Sequence, residues 1–306
     1  MDVVGGRASV MSVDPDTAVK ELAFNQAQLE LAKSALVNQI QLIVGPPGTG
    51  KTYYIRKLAE AIMQDKHMKQ SHIITPSNNN ADDIAIALDK IGLTVLRETA
   101  STHPEILKLA PRSHLERIPE YIERLEKLRQ SETDPLILKQ NVSKLRHDFY
   151  QQVYATVQVV MTTSMYGSHH HFKPLRADVV IIDECGRMME AEAILPITKH
   201  VKKIVVVGDP HQIGPTTYSK EADKVGLKVT LLDRLKILGF PCGTLRHQYR
   251  MSTPIMDVVN IFYKETPLIQ GLDENGLAKN WSHFSEFVPT PIMFINVKGN
   301  KVPLIV

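Results

Sequence analysis

The chain has 306 residues, of which 43 % are hydrophobic and 23 % are charged, as in a globular protein with one large or two ordinary domains. Its formal net charge is +3, from 36 basic and 33 acidic side chains, so any surface for a polyanion has to be a local patch. The two cysteines, Cys185 and Cys242, exclude a disulfide framework and a cysteine-rich zinc cluster.

The cysteine content and the N-terminus both bear on the compartment. The N-terminus has no basic start followed by an apolar core, and no apolar run in the sequence is as long as a membrane span. We therefore expect an intracellular protein, cytoplasmic or nuclear, with no membrane partner.

The N-terminal part of the chain carries few signals. Residues 1–17 lack periodicity and predict a loose lead-in. From Ala18 to Val37 apolar residues recur at helical spacing, which predicts a single helix that contains FNQAQ, residues 24–28.

The most informative stretch is QLIVGPPGTGKT, residues 41–52, in which an apolar strand runs into a glycine-rich turn. The spacing suits a polyphosphate, because glycines let backbone N–H groups close around the β-phosphate. Lys51 is predicted to bridge the β- and γ-phosphates and Thr52 to hold Mg²⁺, with the phosphates at a helix N-terminus. The predicted nucleotide contacts of this loop are Gly45, Pro46, Pro47, Gly48, Thr49, Gly50, Lys51 and Thr52.

The next segment mixes strand and helix signals. Short apolar runs at 72–75 and 94–97 predict two strands around a helix. Residues 99–152 are rich in charge and contain two amphipathic patterns separated by Pro135, which predict an inserted pair of antiparallel helices. Their charge mixture is more typical of a solvated face than of a binding site.

Strand signals return at 157–161, 178–184 and 203–209. Near-continuous Val and Ile predict strands covered on both faces, and hence a central parallel sheet in an α/β fold. Three histidines at 169–171 lack further spaced ligands, so a solvated loop is favoured over a metal site.

Polar side chains follow two of these strands. Asp183 is predicted to hold Mg²⁺ through water, and Glu184 to orient or deprotonate an attacking water. Gln212, in GDPHQIGPT, follows the next strand and can hydrogen-bond a γ-phosphate or the same water.

A last cluster is LRHQYRMSTPI, in which Tyr249 and Arg250 precede a Ser-Thr-Pro helix start. An adjacent aromatic ring and guanidinium suit stacking on a base and pairing with a phosphate. In isolation, a capped helix after an unrelated Tyr-Arg pair would be the preferred interpretation.

Seven segments resemble, in order and spacing, the successive helicase motifs of superfamily 1B: FNQAQ, GPPGTGKT, TPSNNNADDIAIAL, VVMTTSMYG, VVIIDECG, GDPHQIGPT and LRHQYRMSTPI. The likeness is greatest to the nonsense-mediated-decay helicase group, which includes senataxin-like and immunoglobulin-switch-binding enzymes. It implies a P-loop NTPase with a RecA-like parallel sheet covered by helices, and a helicase that uses ATP and Mg²⁺.

The resemblance also implies roles for single residues. Gln28 would read the adenine, Tyr249 would stack on it, and Arg250 would touch the γ-phosphate from a second RecA-like domain. Metal binding would fall to Thr52 and Asp183. The implied catalytic residues are Lys51, Asp183, Glu184, Gln212 and Arg250.

Single-stranded RNA or DNA is the partner that the resemblance implies, and it leaves room for regulatory protein partners. The implied contacts to the sugar-phosphate backbone are Pro76, Ser77, Asn78, Thr162, Thr163 and Ser164. Small polar groups on a backbone are blind to sequence, so we expect translocation on many sequences. Taken singly, these two segments are equally well explained as a capped helix and a strand end.

The predicted organisation has four parts: a lead-in at 1–17, a first RecA-like ATP-binding domain at 18–98 and 153–242, an inserted helical hairpin at 99–152, and the incomplete start of a second RecA-like domain at 243–306. In the family, a later arginine stabilises the transition state, and such a residue is worth about three to five orders of magnitude in turnover. No arginine follows Arg250, so we expect this chain to bind ATP far better than it hydrolyses it.

Two other hypotheses stay open. A truncated paralogue would bind nucleotide and a partner protein without motor activity. An ATPase that remodels proteins would share the phosphate-binding loop and the carboxylate pair, but not the combination of GDPHQ with QYRM.

Overall fold

The computed structural model describes residues 11–98, 101–167, 175–272, 292 and 294. The chain forms two compact units, Met1–Pro46 with Gly50–Leu245, and Pro47–Thr49 with Arg246–Val306. The histidines at 169–171 lie outside the described residues, as does most of PIMFINV, residues 291–297, an apolar run predicted to be the opening strand of the second RecA-like domain.

The first unit is built on a seven-stranded sheet. Its strands are β1 (Ile40–Val44), β2 (Ser71–Thr75), β3 (Val95–Arg97), β4 (Val159–Thr163), β5 (Val179–Ile182), β6 (Lys203–Gly208) and β7 (Cys242–Thr244). They lie in the order β3-β4-β2-β5-β6-β1-β7, and every pairing is parallel. The predicted α/β fold with a central parallel sheet is confirmed.

Helices surround this sheet. Those of the first unit are α1 (Pro15–Val19), α2 (Gln26–Val37), α3 (Lys51–Met63), α4 (Asn78–Lys90), α5 (Pro104–Leu107), α6 (Pro111–Leu115), α7 (Pro119–Ser131), α8 (Pro135–Thr156), α9 (Ser164–Gly167), α10 (Glu190–Ile194), α11 (Lys220–Lys224) and α12 (Leu231–Ile237). None of the helices in the described ranges has the length and apolar character needed to cross a membrane.

Both faces of the sheet are covered, as the apolar runs predicted. Ile43 and Ile181 belong to one buried cluster, whereas their neighbours Leu42 and Ile182 belong to another. Successive side chains of a strand point to opposite faces, so an uninterrupted apolar run fills two cores. The polar ends of the strands therefore meet at one edge of a sheet with a rigid interior.

The helix predicted over residues 18–37 is wrong in its first part. Helix α1 ends at Val19, and α2 begins only at Gln26. Asn25 caps α2: its side chain accepts a hydrogen bond from the N–H of Gln28, whose side chain accepts one from the N–H of Asn25. This capping box defines a helix start that overrides the apolar periodicity.

The insertion between β3 and β4 is larger than a hairpin. Helices α7 and α8 pack against each other, and Pro135 is the first residue of α8, after the N-cap Asp134. Two short helices, α5 and α6, precede the pair, and α8 continues to Thr156. The buried cluster that contains Tyr121, Phe149 and Val153 of the insertion also contains Leu96 of β3 and Val160 of β4, so the insertion packs on the sheet.

The second unit is described over a short stretch. It contains a parallel pair of two-residue strands, β8 (His247–Gln248) and β9 (Ile269–Gln270), and helix α13 (Thr253–Asn260). Helix α13 begins where the Ser-Thr-Pro signal predicted it, with Ser252 at the N-cap position.

Candidate functional site

The phosphate-binding loop connects β1 to α3. Gly48 and Gly50 both have φ +79°, a left-handed conformation that other residues adopt only with strain. The N–H of Gly45 donates to the carbonyl of Gly208 (2.9 Å), which fastens the start of the loop to the end of β6. Gly50 at the N-cap supplies no side-chain hydrogen bond, so the first N–H groups of the 13-residue helix α3 remain available to an anion.

Lys51 is held across the loop by a carbonyl and a carboxylate. Its side chain is 8 % exposed, its Nζ donates to the carbonyl of Gly45 (2.8 Å), and the same atom lies 3.6 Å from Oε1 of Glu184. A buried ammonium needs such partners, because burial without them is costly. The loop therefore carries a positioned positive charge next to a carboxylate.

Asp183 follows β5 and is 1 % exposed. Its Oδ1 accepts the N–H of Glu184 (2.9 Å), whereas its Oδ2 is buried and completes no hydrogen bond within the described part of the chain. Burial raises the pKa of Asp183 to about 7, and the charge of Glu184 adds to the rise, while Lys51 and the nearby Thr75 hydroxyl oppose it. A buried carboxylate oxygen without a partner is suited to a cation or an ordered water.

The donor set fits Mg²⁺ rather than a softer metal. Mg²⁺ prefers oxygen ligands and keeps several of its waters, so one carboxylate and one hydroxyl from the protein suffice. Asp183 and Thr52 are of that type, and Thr52 lies in the first turn of α3. No group of three or more His, Cys, Asp or Glu side chains that would hold a metal occurs among the described residues.

Glu184 has an unusual backbone. With φ 51° and ψ 36°, it is the one residue other than glycine with a positive φ in the described ranges. The short 3-10 turn Cys185–Arg187 begins directly after it. This conformation ends β5 abruptly and brings the Glu184 carboxylate beside Lys51 rather than along the strand direction.

Gln212 is held by a buried acid. Asp209, which follows β6, is 1 % exposed; its Oδ2 accepts from Nε2 of Gln212 (3.0 Å), and its Oδ1 accepts from the N–H of His211 (3.0 Å). The turn after β5 packs tightly on it, since a Cβ added at Gly186 would lie 2.7 Å from the carbonyl oxygen of Asp209. Sequence reasoning missed Gly186, although a glycine two residues after a catalytic-type carboxylate is a signal for close backbone packing.

Gln28 lies beside the phosphate-binding loop, and its role toward adenine stays a prediction. Its side chain is buried at 4 % exposure, and Oε1 is engaged in the capping box of α2. A Cβ added at Gly50 would lie 3.5 Å from Nε2 of Gln28, so this amide nitrogen is next to the phosphate-binding loop.

The residues predicted to bind nucleic acid lie at the ends of two paired strands. Thr75, the last residue of β2, is in register with Thr163, the last residue of β4. Thr163 and the segment Pro76–Asn78, which follows β2, therefore lie at the same edge of the sheet. Asn78 is exposed, and Thr163 is half-buried. Thr162 and Ser164 are 0 % and 4 % exposed, and the Thr162 hydroxyl hydrogen-bonds Nε2 of His72 (2.9 Å).

Tyr249 and Arg250 belong to the second unit. Both side chains are exposed, and the N–H of Arg250 donates to Oε1 of Gln248 (2.9 Å). Their role toward a nucleotide stays a prediction.

Known proteins are similar to this chain over most of its length. The family model for the AAA domain matches residues 23–130 and 112–220. The regulator of nonsense transcripts 1 homolog of Neurospora crassa is 28 % identical over 293 residues, which are 90 % of this chain and 26 % of that protein. The ATP-dependent helicase upf1 of Schizosaccharomyces pombe is 30 % identical over 286 residues, which are 88 % of this chain and 31 % of that protein.

A solved structure of arterivirus nonstructural protein 10, a helicase, in complex with DNA matches 79 % of this chain and 44 % of its own, with a TM-score of 0.43 and 12 % identity. The chain spans between a quarter and a third of the length of the Neurospora crassa and Schizosaccharomyces pombe proteins. The predicted likeness to superfamily 1 helicases of the nonsense-mediated-decay group is confirmed, and the chain belongs to the AAA domain family.

Proposed function

We propose that this chain is the ATP-binding core of a superfamily 1B helicase, which couples ATP hydrolysis to 5′-to-3′ translocation on single-stranded RNA or DNA. The observation that carries the proposal is the triad of Lys51, Asp183 and Glu184, in which an ammonium and two carboxylates converge beside a glycine-rich loop. The relatives named as ATP-dependent helicase and as regulator of nonsense transcripts support it.

Each residue of the triad has a separate task, and that of Asp183, with Thr52, would be to hold Mg²⁺. When bound, Mg·ATP supplies an electrophilic γ-phosphoryl group, and Mg²⁺ neutralises charge on its oxygens. The loop N–H groups bind the phosphates, and Lys51 exchanges the Gly45 carbonyl for a phosphate oxygen. Glu184 orients a water and accepts its proton, and its Oε1 lies 3.6 Å from Nζ of Lys51.

The nucleic-acid part of the proposal rests on the neighbouring strand ends. Pro76, Ser77, Asn78 and Thr163 offer neutral donors and backbone groups at one edge of the sheet. Thr162 and Ser164 are buried, so they pack beneath this edge and do not offer exposed donors. Contacts of this kind hold a sugar-phosphate backbone without reading bases.

The cellular location and the protein partners are part of the same proposal. Both cysteines are free thiols, which agrees with an intracellular location, cytoplasmic or nuclear. Regulatory protein partners stay part of the proposal through the family resemblance alone.

The test is ATP turnover by the full-length product with and without single-stranded RNA or DNA. We expect turnover that rises when either single strand is added. Lys51→Ala is expected to abolish or severely weaken nucleotide binding, whereas Glu184→Gln is expected to retain binding and lose hydrolysis.

Three results would contradict parts of the proposal. Equal turnover by the wild type and Glu184→Gln would remove the role of that carboxylate. Nucleotide binding without any stimulation by RNA or DNA, in a folded protein, would favour a nucleotide-binding chain without motor activity. Unchanged nucleotide affinity in Lys51→Ala would show that the phosphates do not bind at this loop.

A further inference from the structure

Arg97 is a fully buried arginine that ends β3, at 0 % exposure. Its Nε donates to Oδ1 of Asp82 (2.7 Å), its Nη1 to the carbonyl of Glu98 (2.5 Å) and its Nη2 to Oδ1 of Asn78 (3.0 Å). Desolvation of a guanidinium is costly unless its donors are paired, so these contacts tie β3 to the first two turns of α4.

The contact with Asn78 determines which way that amide points. A guanidinium has donors only, so the group that faces Nη2 has to be the carbonyl oxygen Oδ1 and not the NH₂ group. In many structures the two ends of an asparagine amide are indistinguishable, and the hydrogen-bond network assigns them. Here the assignment follows from Arg97. The two protons of Nδ2 have no acceptor within the described part of the chain, so they remain for an acceptor outside this network.

Asn78 presents those protons at an exposed helix start. It is the first residue of α4, which has 13 residues, and the N-cap Ser77 accepts a hydrogen bond from the N–H of Asn80. The N-terminal end of a helix carries partial positive charge, and the Arg97 guanidinium lies directly behind the amide. An anionic oxygen is the acceptor that this combination favours.

We propose that Arg97 is a positioning residue, which orients the Asn78 amide so that its NH₂ group binds a phosphodiester oxygen of a single strand. The inference rests on the proposed function and deepens it. It assigns one contact with the phosphodiester backbone to the NH₂ group of Asn78, and it attributes the orientation of that group to Arg97, which lies outside the sequence motifs. Arg97 itself does not reach the nucleic acid, since its side chain is buried.

A purely structural role for Arg97 makes a different prediction. If Arg97 only fastens β3 to α4, then removing its contacts lowers stability, and single-strand affinity falls no more than nucleotide affinity does. If Arg97 orients Asn78, then single-strand affinity falls selectively. It also falls no further in a variant that already lacks the Asn78 amide, because residues that act through one contact are not additive.

The experiment measures binding of fluorescein-labelled oligo(U) and oligo(dT) by anisotropy, and binding of a fluorescent ATP analogue in parallel. Arg97→Lys keeps the charge but loses the planar fork that holds Asp82 and Asn78 together. We expect it to weaken single-strand binding about tenfold, the lower end of the effect of one hydrogen bond to a charged group, with nucleotide affinity unchanged. Asn78→Ala is expected to match it, and the double variant to be no weaker than Asn78→Ala.

Two further variants keep the test decisive if Arg97→Lys does not fold. Asn78→Asp retains an oxygen for Arg97 but has no amide protons, and at this exposed position it is expected to fold and to lose single-strand binding. Asp82→Asn is the matched control, since it keeps an acceptor for Nε and leaves the contact between Arg97 and Asn78 in place. We expect its single-strand affinity to remain within about twofold of the wild type.

The outcomes separate this inference from the proposed function. A wild type that binds nucleotide but no single strand overturns both. A wild type that binds single strands only as tightly as Arg97→Lys, Asn78→Ala and Asn78→Asp overturns the inference alone. An Arg97→Lys effect that adds fully to that of Asn78→Ala also overturns it, because the two residues would then act independently.

Discussion

At the scale of single residues, Glu184 combines a strained backbone with a side chain that is proposed to be catalytic. A left-handed backbone costs a residue with a Cβ about 1–2 kcal/mol, and Glu has no special tolerance for it. The conformation persists because Asp183 accepts the Glu184 N–H and Lys51 faces the Glu184 carboxylate. Strain of this kind at a polar turn supports a functional interpretation, since a turn needed only for folding would favour glycine.

The strain predicts an inverted order of stability among variants of Glu184. Glycine at an ordinary position is less stable than alanine by about 0.5–1 kcal/mol, because it loses more backbone entropy on folding. At φ 51° the order should reverse, so Glu184→Gly is expected to be more stable than Glu184→Ala by about 1 kcal/mol. Both variants lose the ion pair with Lys51, so that term cancels.

The measurement for these variants is urea denaturation of both proteins at one pH. Both should lack ATP hydrolysis, because both lack the carboxylate. The two variants then differ only in the backbone preference of the residue at position 184. A Glu184→Ala variant more stable than Glu184→Gly would show that the turn is not strained.

His72 gives the fold a dependence on pH. It lies in β2, is 1 % exposed and contacts the Thr162 hydroxyl, and burial lowers its pKa from 6.5 to about 4. Between these values the unfolded chain binds a proton that the folded chain does not. The contribution of His72 to stability is therefore fully present above pH 6.5 and is lost as the pH falls toward 4, by up to about 3 kcal/mol.

The test compares the wild type with His72→Gln, whose neutral amide can still hydrogen-bond Thr162. The free energy of unfolding of the wild type should fall more steeply between pH 6.5 and 4.5 than that of the variant. Carboxylates titrate in the same range in both proteins, so the difference between the two curves isolates His72. Parallel curves would contradict the prediction.

At the scale of elements, the turn after β5 and the turn after β6 work as one unit. Gly186 packs against the backbone of Asp209, and Asp209 in turn holds the side chain of Gln212. The distance from a Cβ at Gly186 to the Asp209 carbonyl oxygen would be 2.7 Å, and the obstacle is backbone rather than a flexible side chain. The carboxylates and Gln212 are thus set relative to each other by a close backbone contact.

We predict that Gly186→Ala lowers stability by about 1–3 kcal/mol, as overpacking does, and reduces ATP turnover by displacing Gln212. Gly214→Ala is the matched control, because its Cβ would meet its nearest neighbour, the Gly186 carbonyl oxygen, at an ordinary 3.7 Å. The readouts are the melting temperature and the rate of ATP hydrolysis. A Gly186→Ala variant with the stability and turnover of Gly214→Ala would show that the two turns are not coupled.

Elements differ in how well local pattern predicts them. Strands β1 to β6 were predictable because a short, β-branched apolar run bounded by turn residues fits a strand buried on both faces better than it fits a helix. Strand β7 (Cys242–Thr244) has no such run and was not predicted. Helix α2 was misjudged at its start, since apolar spacing was weighed above the Asn25–Gln28 capping box, which is itself a local signal. The left-handed turn at Glu184 had no local signal, because it depends on contacts with Lys51 and Asp183 that only the sheet creates.

At the scale of the whole molecule, parallel topology explains why motifs far apart in sequence meet. The strands before Gly45, Pro76, Asp183 and Asp209 are neighbours in one sheet, so their ends share one edge. Sequence order alone predicted this convergence. It did not predict that Thr162 and Ser164 are buried, or that Arg97 holds Asn78, because both depend on how α4 and β4 pack.

The balance of charge predicts how nucleic-acid binding responds to salt. The net charge is only +3, and the proposed contacts at Ser77, Asn78 and Thr163 are neutral donors rather than lysines or arginines. Each phosphate neutralised by a basic side chain contributes a slope of about −0.7 to log K against log salt for a single strand. A protein that holds the strand mainly with amides, hydroxyls and a helix N-terminus releases few counterions, so its slope should be shallower than about −2.

The salt prediction is checked by titrating oligo(U) and oligo(dT) between low and physiological salt. Arg97→Lys keeps its charge, so it should weaken binding at every salt concentration and leave the slope unchanged, which distinguishes an oriented donor from an electrostatic one. A slope steeper than about −3 in the wild type would mean that several basic side chains contact the phosphates. The edge formed by α4 and β4 would then be a minor part of the binding surface, because neutral donors do not produce that dependence.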